Sequence, residues 1–511
     1  MNTAEKMMMS RITLNELLAG MQIIPAELQE TLEVMIEGVQ MDSRLIEPGD
    51  LFCACFGRNH DARDYIGTAI ANGAVAILAE SGGSWQGWQL QSGVPIIAVD
   101  DLAAKISQIA GRFFADPSST LSITGITGTN GKTSCSQFLA QSLNLLGRQC
   151  GVIGTLGYGF CGAMKDTGYT TPDAVQLQSI LAELRASKAD SVAMEVSSQG
   201  LHQHRVDGIR FHTAVFTNLT RDHLDYHDSM EAYGKVKRRL FEMDGLRTAV
   251  VNVDDPYAPQ ILNNISSSVR SLTYSLSNNK ADVHGSELIL DKEGYRVKVE
   301  TPWGNGVLTG SLLGEFNISN VLAVLTVLMS LETGSRKWTL AEVLAVLPAL
   351  KPVSGRMEII NDGEDIAAVV DYAHTPDALA SALRAIRQHY EGNIWCVFGC
   401  GGNRDQGKRP LMAEVAGQYA DHIVVTDDNP RTECADDIVR QIMLGAENSS
   451  RFRVIRDRSK AIATVIRQAN PGDVVLIAGK GHENYQDVGG KRTIFSDVNQ
   501  VRLALQKRSN S

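Results

Sequence analysis

Gly128-Thr129-Asn130-Gly131-Lys132-Thr133 stands between a β-prone stretch, Leu121 to Thr127, and an amphipathic helical stretch, Ser134 to Leu146. A strand that passes through a glycine loop into a helix commits this part of the chain to an α/β layer, with the helix covering a mostly parallel sheet. Glycines let consecutive backbone N–H groups turn inward without a Cβ clash, and the helix N-terminus adds partial positive charge, so the loop suits phosphate. Lys132 is placed to reach the β- and γ-phosphates of ATP or GTP, and Thr133 to bind Mg²⁺. One position departs from the usual spacing: a glycine is expected at Ile126, and the nearest are Gly125 and Gly128. The loop does not say whether the γ-phosphate goes to water, to a motor cycle or to a substrate.

At 511 residues the chain exceeds one ordinary core, and about three domains are expected from a prior of ~100–200 residues each. Hydrophobic content of 43% with 21% charged residues is that of a soluble globular protein. No signal peptide is read in Met1 to Ser10, and the apolar run Val321 to Leu331 is shorter than the ~20 residues of a membrane span, so the cytoplasm is the expected compartment. Eight scattered cysteines without C-x-x-C pairs argue for incidental thiols rather than a disulfide framework or metal cluster. A formal net charge of −10 speaks against extended nucleic-acid binding.

Three regions are legible. The first ~100 residues read as a small α/β unit, with strands near Leu51 to Phe56, Ala74 to Leu78 and Pro95 to Val99 and a helix near Tyr65 to Asn72. The second runs to about Leu350, with strands Ser191 to Val196, Thr213 to Thr217 and Thr248 to Asn252 and an antiparallel appendage between Ala281 and Leu313. Lys351-Pro352-Val353-Ser354-Gly355 reads as a linker. Beyond it lies a third βα series, with strands near Ile366 to Asp371, Asn393 to Phe398, His422 to Thr426 and Asp473 to Ile477. The expected divisions are 1–101, 102–350 and 351–511.

Open parallel sheets bind ligands at the carboxyl ends of their strands. In the second region one such end carries Glu195, suited to Mg²⁺, and the next delivers Arg221-Asp222-His223-Leu224-Asp225-Tyr226-His227 to the same edge. In the third region the strand ends are Asp371-Tyr372-Ala373-His374-Thr375-Pro376, Gly399-Cys400-Gly401-Gly402-Asn403-Arg404-Asp405, Asp428-Asn429-Pro430-Arg431 and Gly479-Lys480-Gly481-His482-Glu483. Thr375 is a candidate N-cap with Pro376 in the first turn. Arg404 and Arg431 can each grip a carboxylate, while Asp428 and Glu483 can accept from an ammonium, so an amino acid fits this rim.

These motifs resemble the Mur ligases of bacterial cell-wall synthesis. The resemblance rests on Gly128 to Thr133, Glu195-Val196-Ser197-Ser198, Thr217 to Asp225, Gly355-Arg356-Met357-Glu358, Asp371 to Pro376, Asp428 to Arg431 and Gly479 to Glu483, in family order along nearly the whole chain. It also accounts for Ile126, since the family's phosphate loop looks like this one. The match is close to the branch that adds the third amino acid, and lysine-adding relatives or folate polyglutamate synthetases are the competing ligase readings. A phosphate-loop motor is the reading from another class.

The resemblance implies a small N-terminal α/β domain for the uridine nucleotide, a central ATPase with a mostly parallel sheet and a C-terminal Rossmann-like domain for the amino acid. It implies ATP and Mg²⁺ as cofactors, UDP-MurNAc-L-Ala-D-Glu and meso-diaminopimelate as substrates, and a monomer. Gly128, Thr129, Asn130, Gly131, Lys132, Thr133, Asn317, Arg356 and His374 would meet ATP. Thr133, Glu195 and His223 would hold the metal, and Lys237, matching the family's N-carboxylated lysine, would join Lys132, Glu195 and His223 in catalysis. Met41, Ser43, Arg58, Asn59 and His60 would contact the nucleotide end of the substrate, and Thr170, Thr171, Ser197, Gln203 and Arg205 its sugar-peptide. Arg404, Asp428, Asn429, Pro430, Arg431, Gly479 and Glu483 would hold diaminopimelate. Two residues depart from the pattern: Gln199 replaces a histidine and Asn403 an aspartate, each keeping a hydrogen-bonding side chain.

Overall fold

The computed structural model describes residues 11–21, 31–57, 60–224, 226–331, 337–360, 365–447 and 449–509. Within them lie sheets of five, eleven and six strands and two two-stranded ribbons. The five-stranded sheet runs in the order Gly38–Gln40, Asp50–Ala54, Ala76–Glu80, Val94–Val99, Trp88–Gln91, parallel except for its last edge. Asp50–Ala54 is buried along its whole length, as a strand covered on both faces must be. The helix Leu102–Phe113 packs Leu102, Ile106, Ile109 and Phe113 into this sheet's core. Its first amides, of Leu102 and Ala103, donate to the Glu80 carboxylate at 2.9 and 3.2 Å, placing a negative charge at the helix N-terminus.

In the eleven-stranded sheet Ser122–Thr127 lies between Ser191–Glu195 and Thr213–Phe216, parallel to both. All three strands therefore present their carboxyl ends to one rim. The helix Lys132–Leu145 covers this strand and packs with Glu315–Ser330. The apolar run from Val321 falls in the second of these, buried almost all round, which is why its hydrophobicity needs no membrane. No helix among the described residues is long and apolar enough to cross a membrane.

The antiparallel strands expected between 281 and 313 exist as Val283–Asp291, Gly294–Thr301 and Gly304–Gly310. They are not an appendage. Two residue pairs, Tyr274↔Val283 and Ser275↔His284, splice them in parallel onto Arg270–Ser275 and so onto the central sheet.

The six-stranded sheet has the order Glu358–Ile360, Ala367–Asp371, Val474–Ala478, Ile394–Phe398, His422–Val425, Phe452–Val454, with only the first strand antiparallel. Thr375 caps the helix Pro376–His389 by accepting from the Ala378 amide, with Pro376 opening the helix as expected. This helix ends on the central region. His389 accepts from the Gly314 amide through Nε2 at 3.0 Å and donates through Nδ1 to the Asp291 carbonyl at 2.5 Å. Lys351, at the start of the connecting segment, exchanges two backbone hydrogen bonds with the Gln141 side chain.

Candidate active site

The loop after Ser122–Thr127 is built for close approach. Gly128 has φ 154° and Gly131 φ 86°. A Cβ on Gly128 would meet the Thr217 hydroxyl at 1.9 Å, and one on Gly131 the Asn320 side-chain oxygen at 2.6 Å. The neighbouring strand end fastens the loop: Thr129 N–H donates to Asn218 O and Asn130 N–H to Asn218 Oδ1, both at 2.9 Å, and Thr217 donates to Asn130 O at 2.6 Å. Ile126 is still strand at this point, buried and paired with Glu195, so a glycine there would serve no turn.

Lys132 Nζ donates to the carbonyls of Gly128 and Thr129, each at 2.8 Å. Burial pushes its ammonium down, and the charges of Glu195 and Asp222 oppose that. Lys237 approaches from the helix Met230–Arg238 and donates to the same Gly128 carbonyl at 2.8 Å, its Nζ 4.5 Å from the centre of the Tyr233 ring. It is fully buried, and desolvation together with Lys132 holds its amine well below the ordinary lysine range. Giving up the proton that an exposed lysine keeps at neutral pH costs the fold stability. Lys237→Met is therefore expected to raise Tm by about 2–5 °C in a thermal melt, since Gly128 O keeps Lys132 as a donor. An unchanged or lower Tm would refute this.

Glu195 is buried beside this loop and accepts from Thr133 Oγ1 at 2.9 Å, Thr155 N–H at 2.9 Å and Thr155 Oγ1 at 3.1 Å. A buried carboxylate that accepts from two hydroxyls and an amide is an oxygen ligand that suits a hard divalent cation. His223 stands on the adjoining loop at φ 54°, with its ring 3.5 Å from the Asp222 carboxylate. Among the described residues no three His, Cys, Asp or Glu side chains form a metal cage. Thr133 and Glu195 are thus in contact, and His223 sits one loop away.

Asp222 links this rim to the third sheet. Burial works against its ionisation, yet the charges of His223, His374 and Lys132 draw its carboxyl below the usual range. The Arg356 guanidinium lies 4.3 Å from the Tyr372 ring centre, its charge reaches Lys132, and its Nε is buried without a hydrogen-bond partner among the described residues. His374 donates through Nδ1 to the Tyr372 carbonyl at 2.9 Å. Asn317, at the start of Glu315–Ser330, is buried and donates to Leu313 O. The nucleotide candidates from both regions therefore converge.

Burial, reinforced by Lys408, pushes His374 down to about 4, and burial with Arg356 does the same to His482. Between that value and the free histidine's 6.5 the unfolded chain binds more protons than the folded one. Stability should therefore fall as pH drops from about 6.5 to about 4. The double variant H374N/H482N is expected to flatten this slope in Tm measured across that range; an unaltered slope would contradict it.

The sugar-peptide candidates form one patch next to Glu195. Thr170 bonds Thr155 through their hydroxyls at 3.0 Å, and Thr171 donates to Glu195 O at 3.1 Å and accepts from the Ser197 amide at 3.0 Å. Arg205 donates to Thr171 O at 2.5 Å and to Gln203 Oε1 at 2.6 Å. Gln199 accepts from Ser198 at 3.3 Å, using the capacity its side chain retains. Met41, buried Ser43 and exposed His60 lie on the five-stranded sheet's loops, while Arg58 and Asn59 fall outside the described residues.

On the third sheet Asn429 donates to Glu483 at 2.7 Å, and the buried Lys480 donates to both Asn429 Oδ1 and Glu483 at 3.0 Å. Asp428 sits beside Gly479, where a Cβ would meet its carboxylate at 2.7 Å. Pro430 is buried between Asn429 and Arg431, and Arg431, at φ 54°, donates to Gly402 O at 2.7 Å. Arg404 is exposed on the same loop. Sequence gives Lys480 and Tyr233 no role of their own, and Asp222 enters only within the strand-end run Arg221 to His227. Their partners lie on other strand ends, and only the burial of a lone charged residue after an apolar strand could have flagged Lys480.

Three family models match the chain: Mur ligase family, catalytic domain, over residues 35–114; Mur ligase middle domain over 126–328; and Mur ligase, glutamate ligase domain, over 355–481. A UDP-N-acetylmuramoyl-L-alanyl-D-glutamate--2,6-diaminopimelate ligase of Coxiella burnetii is 47% identical over 479 residues, covering 93% of this chain and 96% of its own. The protein of the same name from Ectopseudomonas mendocina is 48% identical over 472 residues, 92% and 95% of the two chains. A solved structure of a ligase of that name superposes with a TM-score of 0.72 at 35% identity, covering 98% of this chain and all of the other.

Proposed function

The chain belongs to the Mur ligase family, and we propose that it joins meso-2,6-diaminopimelate to the D-glutamyl γ-carboxylate of UDP-N-acetylmuramoyl-L-alanyl-D-glutamate, with ATP cleaved to ADP and phosphate. The observation that carries this reading is the meeting of two unlike half-sites. A triphosphate loop with Lys132 and Asp222 stands within electrostatic reach of Arg356 and His374, and the rim that holds His374 also holds Arg404, Arg431 and Glu483. A hydrolase or motor has no use for the second half.

In this mechanism the γ-carboxylate attacks the γ-phosphate, giving an acyl phosphate and ADP. Both reactants are anionic, and Lys132, with Arg356 from the facing sheet, offsets their repulsion. Thr133 and Glu195, with His223 nearby, would hold Mg²⁺, which would supply further charge neutralisation on the phosphates. Thr170, Thr171, Ser197, Gln203 and Arg205 orient the sugar-peptide beside Glu195. The diaminopimelate amine, held through Glu483 and the carboxylate-gripping Arg404 and Arg431, then attacks the activated carbonyl and phosphate leaves. Free ammonium groups titrate near ~10, so a proton must be lost first and turnover should favour basic pH.

Lys237 is assigned as an N6-carboxylysine. An amine kept neutral by burial is the nucleophile that CO₂ requires, and the resulting carbamate would face the Lys132 cation. The three sheets are taken as the cores of domains 1–101, 102–350 and 351–511, closing across Lys351 to Gly355. The protein is assigned to the cytoplasm as a monomer supplying peptidoglycan precursor.

The test measures phosphate release by purified protein with ATP, Mg²⁺ and the UDP-linked dipeptide, adding meso-diaminopimelate or lysine in turn. Release that requires diaminopimelate is expected. Release without an amine acceptor would sink the ligase reading, and equal use of lysine would sink the choice of amino acid.

A further inference from the structure

Arg409 and Glu433 belong to neither the nucleotide nor the metal constellation, yet the Arg409 side chain is fully buried. Its guanidinium grips the Glu433 carboxylate with two N–H donors, at 2.6 and 2.8 Å, the bidentate geometry in which such a pair is strongest. It also donates to Gln441 Oε1 at 2.7 Å and to the Gly401 carbonyl at 3.3 Å. Glu433 in turn accepts from the Asn403 amide at 2.9 Å. The hydrogen bonds from Arg409, helped by the Asn403 amide, hold the Glu433 carboxyl down at about 2, so the carboxylate stays ionised at neutral pH.

What the pair holds is the backbone of Gly401 to Asn403. This short segment supplies the carbonyl anchors of both rim guanidiniums: Arg431 donates to Gly402 O at 2.7 Å and Arg404 to Asn403 O at 3.2 Å. The segment cannot hold its own shape cheaply. Asn403 sits at φ 54°, and its Oδ1 is spent on the Thr432 amide and hydroxyl, at 3.2 and 3.0 Å, tying the loop to the residue after Arg431. A Cβ on Gly402 would strike the Pro430 carbonyl at 1.9 Å, so the two loops are in backbone contact as well.

We propose that Glu433 and Arg409 are positioning residues for amino-acid selection: they fix the spacing of the Arg404 and Arg431 guanidiniums, and thereby the separation of carboxylates that the site accepts. The inference rests on the proposed activity, in which this rim receives diaminopimelate. Misplacing binding groups by ~1 Å costs about 10²-fold.

The experiment compares steady-state kinetics of the full-length protein and its Glu433→Gln variant, with each substrate varied in turn, alongside thermal melts. Glu433→Gln should raise the KM for diaminopimelate by ~10–100-fold, leave the KM values for ATP and the UDP-linked dipeptide within threefold, and narrow the preference over lysine. Glu433→Asp keeps the charge but retracts it from the Asn403 amide. It should move the same KM by about tenfold, and it serves if the glutamine variant does not fold. A diaminopimelate KM unchanged in a folded variant would overturn the inference, as would an equal loss toward all substrates with a lowered Tm. Absence of diaminopimelate-dependent turnover in the unsubstituted protein would overturn the activity itself and this inference with it.

Discussion

Lys132→Met is expected to lower ligase turnover by ~10³-fold or more, read as ADP formed with all substrates saturating. The reason lies in where the ammonium waits. Its Nζ is parked on the Gly128 and Thr129 carbonyls of the loop proposed to receive the phosphates, and is partly stripped of water there. A desolvated charge fixed beforehand needs no reorganisation when negative charge develops on the transferring phosphoryl group, which is the condition under which one charge is worth ~4 kcal/mol. Methionine reproduces the length of the stem without the charge, so the helix Lys132–Leu145 should fold as before. ATP affinity should fall much less than turnover. A variant retaining a tenth of wild-type turnover would show that Lys132 does not stabilise the transition state.

The sequence exposed this part of the site because every element needed is local. Strand, loop and helix follow one another within Ser122 to Leu145, and the strand ends of the third sheet, at Asp371, Phe398, Val425 and Ala478, could be read from apolar runs that stop at polar residues. The central sheet's extension was harder. Only two residue pairs join Val283–Asp291 to its neighbour, too short a register for any pattern to reveal. The hairpin Gly157–Phe160 with Ala163–Lys165 has no strand signature in sequence, since Gly157, Gly159 and Gly162 lie within it, and only pairing with Cys150–Gly154 makes it sheet.

Polar networks were least legible. Lys480 with Asn429, Arg409 with Glu433 and Asp222 with His374 join positions far apart in the chain, and nothing local in the sequence pairs them. Of the metal candidates, Thr133 and Glu195 are hydrogen-bonded to each other, and the His223 ring lies against its neighbour Asp222, contacts that sequence position alone does not reveal. The departure at Asn403 has a physical account as well. Its Oδ1 does all the bonding to Thr432, so an amide serves there, and it adds no second negative charge beside Glu433.

Arg431→Ala should lower kcat/KM for meso-diaminopimelate by ~10³–10⁴-fold while changing use of lysine little, because a site built to pair a polar group discriminates through the partner left unpaired. The structure gives this arginine an unusual investment. Its backbone is held at φ 54°, a conformation that non-glycine residues adopt only when their surroundings enforce it. Here the enforcement comes from the ribbon Tyr485–Val488: Arg431 N–H donates to Asp487 O at 3.0 Å, and Gly489 N–H donates to Arg431 O at 2.6 Å. One guanidinium nitrogen is committed to Gly402 O, which fixes the plane of the group and leaves its other donors for a ligand. Arg431→Lys should restore little, since a single ammonium cannot keep the Gly402 contact and grip a carboxylate with two donors. The KM for ATP should change little, because Arg431 is not among the residues proposed to meet ATP on either rim. Comparable losses toward diaminopimelate and lysine would mean that Arg431 shapes the loop rather than reading the distal carboxylate.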